Sequence, residues 1–165
     1  MVEIQKIACA TVAAVRAGRN LNAVLAEQRA LHPELTPQQQ GAVNDLCYGT
    51  LRFGFQLDCV LAELLNKPMH DADLRWLVLI ALYQLEHTRA APYAIVDHAV
   101  RTAAALGKAH AGGLVNAVLR NFLRKRDAVM AKATYADVGR YAFPQWWITK
   151  LRMQYPLHYR SEEHT

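Results

Sequence analysis

GGLVNAVLRNFLRKR, residues 112–126, has two faces. Leu114, Val115, Val118, Leu119, Phe122 and Leu123 recur at three and four, the period of an amphipathic helix laid on a core. Asn116, Arg120 and Arg124 recur every four residues down another side. Stacked like charges at that spacing cost roughly a few tenths of a kcal/mol per pair, so the stripe is either incidental or offset by something negative. The same helical period, with strand-like alternation rare, runs through most of the chain, and it makes the protein all-α.

Working outward, the periodicity predicts a first helix from Glu3 to Arg16 with Ile4, Ile7, Ala8, Val12 and Val15 inward, ended by Gly18. A second begins at Asn20, carries Leu21, Val24, Leu25 and Leu31, and stops near Pro33. Thr36, Pro37 and Gln39 spell a capping box with proline at the first helical position, where its missing N–H is harmless. That third helix turns Val43, Leu46, Cys47 and Leu51 inward. Gly49 and Gly54 bracket a bend, and a further helix spans Leu57 to Leu65, ending at "NKP". Asp71 caps a helix apolar on most faces through Leu74, Leu77, Val78, Ala81, Leu82 and Leu85, which marks it as the central one. Pro92 opens the next, running to Gly107. After residue 126 the apolar pattern thins, so 127–143 reads as a connector. Pro144 then starts a short amphipathic helix with Trp146, Trp147, Ile148, Leu151 and Tyr155, an apolar face that either folds back on the bundle or belongs with a further domain.

Composition narrows the chemistry. The 165 residues suffice for one domain with a core, or for one domain and the start of another. No apolar run is long enough to cross a membrane, and the N-terminus does not read as a signal peptide. Cys9, Cys47 and Cys59 are an odd count without metal-ligand spacing, which suits small core residues in a reducing cytoplasm. The seven histidines show no HxxxH spacing and no pairing with cysteine, so no metal site is expected. No glycine-rich loop joins a strand to a helix, and Gly112-Gly113 reads first as a tight turn. The net charge of +5 is uneven: residues 1–100 hold 8 basic and 10 acidic side chains, residues 101–165 hold 11 and 4. Such asymmetry points to a polyanion partner. On these residues alone the chain is not an enzyme.

Three motifs together, "LCYGTLRF" with its following "LD", "LIALYQLEHTRAAPYAIVDHAV" and "GGLVNAVLRNF", resemble the NusB-like domain. This all-helical RNA-binding fold is built of two packed three-helix subbundles. It occurs as the free-standing antitermination factor NusB, and as the N-terminal domain of small-subunit (16S) rRNA cytosine-C5 methyltransferases of the RsmB/Fmu/Sun type. "VNAVLR" places Arg120 where NusB factors have an acid, and "YAFPQWWITKLRMQYP" looks like the stretch leading into the methyltransferase's catalytic part. The resemblance therefore implies a NusB-like RNA-binding domain over 1–126, the connector, and the start of the methyltransferase region over 144–165. The implied partners are 16S rRNA and the chain's own downstream methyltransferase domain, in the cytoplasm, with neither a membrane nor a metal. Related domains often open with an arginine-rich segment, whereas here Lys6 is the only basic side chain in the first ten residues.

The parent enzyme, by this resemblance, uses S-adenosylmethionine. A cysteine thiolate adds to cytosine C6, C5 takes the methyl group, and a base removes the C5 proton. That chemistry needs cysteines in Pro-Cys and Thr-Cys contexts, and none of the three here matches. The chain is thus expected to carry recognition without catalysis and to hold no cofactor itself. Candidate RNA contacts are Arg120, Arg124, Lys125, Asn116, Arg126, Arg101, Lys108 and Lys6. Alternatives stay open: Asn116 as a buried structural amide, Arg120 in an ion pair, and Arg124, Lys125 and Arg126 as cations favoured at a helix C-terminus. Arg52 fits the family pattern and has a structural reading too. The rival reading of the whole is a free-standing antitermination factor or a helical protein-interaction module, whose partner would be a small ribosomal protein.

Overall fold

The computed structural model describes residues 1–135. Seven α-helices are found there: α1 Val2–Arg16, α2 Leu21–Leu31, α3 Pro37–Arg52, α4 Gly54–Leu64, α5 Ala72–His87, α6 Pro92–Ala105 and α7 Gly112–Tyr135, with a short 3-10 turn at Ala109–Ala111. There is no strand among the described residues. The local signals in the sequence act as written. Asn20 Oδ1 accepts from the Ala23 amide and Asp71 Oδ1 from the Leu74 amide, so both start their helices as side-chain caps. Thr36 and Gln39 close a reciprocal capping box ahead of Pro37.

α1, α2 and α3 pack as one group. α4, α5 and α6, with α7 laid along α4 and α6, make the second, and α5 touches members of both. Its central place explains its composition: Leu74 and an unbroken run from Leu77 to Gln84 are buried, so both faces and both flanks meet protein. Cys9 and Cys47 are buried core residues and Cys59 is half-buried. Burial pushes the thiols of Cys9 and Cys47 up to about 12, so both stay protonated and unreactive.

The structure changes the sequence reading at several points. α7 does not stop at residue 126: Lys125 alone takes non-helical angles (φ −115°, ψ 19°), and the helix then resumes to Tyr135. Val129 and Ala133, one turn apart, are buried in this second part, so the first nine residues of the expected connector are helix packed on the bundle. Leu114 and Leu123 are 47% and 36% exposed. They flank the inward stripe of Val115, Val118, Leu119 and Phe122 rather than belonging to it. Leu31, at the last turn of α2, is 68% exposed, and Val15 is half-buried. The Trp-bearing segment from 144 onward lies outside the described residues. None of the described helices is long and apolar enough to cross a membrane.

Candidate nucleic-acid interface

Gly49, Phe53, Tyr83 and His87, from two of the three motifs, form one column with Asp45 and Gln56 where α3, α4 and α5 meet. A methyl group on Gly49 would lie 2.0 Å from the Tyr83 ring, so only a glycine lets the ring lie against α3. Tyr83 then donates to Asp45 Oδ1 at 3.0 Å. Burial and that carboxylate push the phenol up to about 12, so it remains a donor. The Phe53 ring, at the α3–α4 junction, stacks on His87 with centroids 4.0 Å apart, and the Arg52 guanidinium lies 5.3 Å from the Phe53 centroid. Gln56 Oε1 is 3.1 Å from His87 Nε2. Burial lowers the His87 pKa from its ordinary value, with Arg126 and Arg52 adding to the shift and Glu86 opposing it. Arg52 is exposed and lies over the Phe53 ring at the edge of this column.

A second polar cluster ties the two groups of helices. Gln5 Nε2 donates to Gln84 Oε1 at 2.8 Å, and the Thr102 hydroxyl donates to Gln5 Oε1 at 2.7 Å. All three side chains are buried. Three helices, α1, α5 and α6, are joined at this point.

The eight candidate cations and amides separate into two sets. Arg120 is exposed and its Nε donates to Asn116 Oδ1 at 2.9 Å. No acidic side chain pairs with Arg120 among the described residues. Asn116 is half-buried and is held by this bond on its own helix, not by another helix. Among the described residues, exposed Arg124 reaches only Asn121 Oδ1, at 3.5 Å, and Lys125, exposed at the break in α7, has no acidic partner. Asn116, Arg120 and Arg124 make the stripe down α7, and Lys125 follows it at the break.

The other four are occupied or elsewhere. Arg126 is clamped by Glu86 of α5, through Nε to Oε2 at 2.8 Å and Nη2 to Oε1 at 2.6 Å, and Asp127 takes Nη1 at 2.8 Å. The Glu86 side chain is only 10% exposed, so this pair fastens α7 to α5. The Glu86 hydrogen bond raises the Arg126 pKa. Lys108 pairs with Asp71 at 2.8 Å, which lowers the Asp71 pKa and raises that of Lys108. Arg101 pairs with Asp97 one turn away at 3.2 Å. Lys6 is exposed on α1, which packs on α2, α3, α5 and α6 and so sits apart from the α7 stripe.

Beside the stripe runs a groove of about 650 Å³ between the segment after α4 and the first half of α7. Leu64, Leu65, Met69, Leu114 and Val118 supply its apolar lining, and Asn66, Lys67, Asn121 and Arg124 its polar lining. The sequence reading used "NKP" only as a helix stop and passed over Asn121, so three of these four polar residues were missed. No local pattern marked them: Glu63 and Asp71 stand four residues to either side of Lys67, the spacing of an ordinary ion pair. No group of three or more His, Cys, Asp or Glu side chains is placed to hold a metal ion among the described residues.

Comparison with known proteins agrees with this architecture. The model of the NusB family matches residues 3–124. The chain is 34% identical over 141 residues to the ribosomal RNA small subunit methyltransferase B of Proteus mirabilis (strain HI4320), covering 84% of this chain and 32% of that protein. It is 32% identical over 149 residues to the protein of the same name from Escherichia coli O1:K1 / APEC, covering 89% and 34%. The match to the Shigella boydii serotype 18 protein has the same identity and coverage. The chain therefore spans about a third of the length of the curated relatives it matches. A helical bundle centred on α5, the Gly49–Tyr83 contact beneath its signature motifs and a match over most of its length together show that this chain belongs to the NusB family.

Proposed function

We propose that this chain is the RNA-binding, substrate-recognition part of an S-adenosylmethionine-dependent 16S rRNA cytosine-C5 methyltransferase, working in the cytoplasm, with catalysis supplied by a domain outside the chain. The observation that carries the reading is the set of exposed cations on α7. Arg120, Arg124 and Lys125 have no acidic partner among the described residues, while Arg126, Lys108 and Arg101 each have one. Cations left unpaired and close together on one helix suit a polyanion, and phosphate contacts position a protein on RNA without reading sequence. The thiols of Cys9 and Cys47 are buried and protonated, which fits a chain whose part is recognition. S-Adenosylmethionine and the two catalytic cysteines would then belong to the downstream domain. The names of the relatives support the choice of rRNA over other polyanions.

The test is binding of the 165-residue chain to a small-subunit rRNA fragment across a salt series, beside the charge-reversal pair Arg120→Glu and Arg124→Glu. Wild type should bind with a steep dependence on salt, and the double variant should lose at least tenfold in affinity and much of the slope. Equal binding by both would remove the stripe from the interface. Failure of wild type to bind at low salt would favour the protein-interaction reading.

A further inference from the structure

We propose that the groove between Leu64–Met69 and α7 is a seat for one or two unpaired RNA nucleotides, so that this surface selects single-stranded over duplex RNA; this rests on the RNA-binding reading above. The argument starts from the groove's composition. The aliphatic lining of Leu64, Leu65, Met69, Leu114 and Val118 offers an apolar surface to a base, and Leu114 stays 47% exposed there. A volume of about 650 Å³ falls within the range of ligand sites, ~300–1,000 Å³. The polar lining is what names the occupant. Lys67 and Arg124 line the groove from different elements, and neither has an acidic partner among the described residues. Asn66 and Asn121 supply amides beside them. Among the described residues Asn121 uses its Oδ1, on Arg124 at 3.5 Å, and its NH2 group has no acceptor.

Two cations, two amides and an apolar lining match the parts of a splayed nucleotide: phosphate, base edge and base face. A lipid or an apolar peptide would leave the two cations unanswered. A paired stem presents phosphates outside and its base faces inside the stack, so it could use the polar lining and not the apolar one. Protein readers of RNA take unpaired bases for this reason. Arg124 joins the groove to the stripe, because it lines the first and belongs to the second. A strand laid along Arg120 and Lys125 would thus pass the mouth of the groove.

The experiment compares the full chain with two variants, on a mixed-sequence single-stranded oligoribonucleotide and on a duplex of equal length, each across a salt series. Ala117→Phe fills the groove from its exposed wall without changing charge. Asn121→Ala removes one amide and leaves the space open. Wild type should prefer the single strand at least tenfold. Both variants should lose most of that preference while keeping duplex binding and its salt slope, with thermal unfolding unchanged. If wild type binds both RNAs and the variants keep the full single-strand preference, the groove proposal is overturned and the stripe stands. If wild type binds neither, the RNA-binding reading fails with it. If Ala117→Phe lowers the unfolding temperature while RNA binding stays as in wild type, the groove houses another part of the chain, and the proposal is again overturned.

Discussion

Gly49 and Tyr83 set the tightest constraint on any single side chain. The ring occupies the space a Cβ would need, at 2.0 Å, so Gly49→Ala forces either the ring or α3 to move. Overpacking of a closed site costs roughly 1–3 kcal/mol, and the upper end is expected here because the ring is also held by Asp45. Urea unfolding of Gly49→Ala should show that loss, and Gly49→Ala combined with Tyr83→Leu should recover part of it. His87 makes a second prediction. Its pKa lies below its ordinary value of 6.5, chiefly through burial against Phe53 and Gln56. A depressed pKa means the folded state holds the neutral ring better than the unfolded chain does. Its contribution is therefore present above pH ~6.5 and is lost as pH falls below that value toward the folded pKa. Stability measured from pH 7.5 down to 5 should fall less steeply in His87→Gln than in wild type, and parallel profiles would rule out His87 as the titrating group.

Among the elements, α7 has two jobs along one length. Its inward stripe of Val115, Val118, Leu119 and Phe122 is core, its outward side carries Arg120 and Arg124, and Arg126 locks it to α5 through Glu86. Neighbouring arginines thus differ in kind. Arg126→Ala should cost about 1–2 kcal/mol of stability, because a largely buried carboxylate loses its donors, and should leave RNA affinity within about twofold. Arg124→Ala should show the reverse: stability unchanged and a shallower salt dependence. Unfolding and RNA binding measured on the same two proteins separate these roles. The cluster of Gln5, Gln84 and Thr102 works at the same scale, since it joins α1, α5 and α6. Gln5→Leu strands the buried Gln84 amide oxygen, while the Thr102 hydroxyl keeps the His98 carbonyl as acceptor, and should cost roughly 1–3 kcal/mol, whereas Gln5→Leu with Gln84→Leu should restore part of the loss.

At the scale of the whole molecule, charge is distributed unequally along the chain, and folding decides how much of it is usable. The basic excess after residue 100 includes cations that the fold neutralises against Asp71, Glu86 and Asp97. What remains on the outward side of α7 is a short, concentrated patch. A small number of phosphate contacts follows. The salt slope of RNA binding should correspond to about three or four phosphates, near −0.7 per contact on a single strand, and Lys67→Ala should lower it by about one such step. A slope several times larger would mean that RNA also engages surfaces beyond α7 and the groove.

Much of the fold was legible before any coordinate. Caps at Asn20, Thr36 and Asp71, proline at Pro37 and Pro92, and the three-and-four period are local physics, and each acts within a few residues of itself. The central place of α5 was legible too, because only a helix enclosed on every side can be apolar all round. The second half of α7 was not, since Val129 and Ala133 are too sparse to announce a core face and find one only because α4 lies beneath them. The site was legible only as a roster. Arg120, Arg124, Arg126 and Lys108 look alike as letters, and which of them is free depends on Glu86 and Asp71, 40 and 37 residues away in the chain from Arg126 and Lys108. The groove, made by a loop and a helix some fifty residues apart, has no local signature at all. Secondary structure and the identity of the core were set by the sequence through short-range forces; the pairing of charges and the shape of the surface were decided by the tertiary structure, because they depend on which distant residues folding brings within a few ångströms.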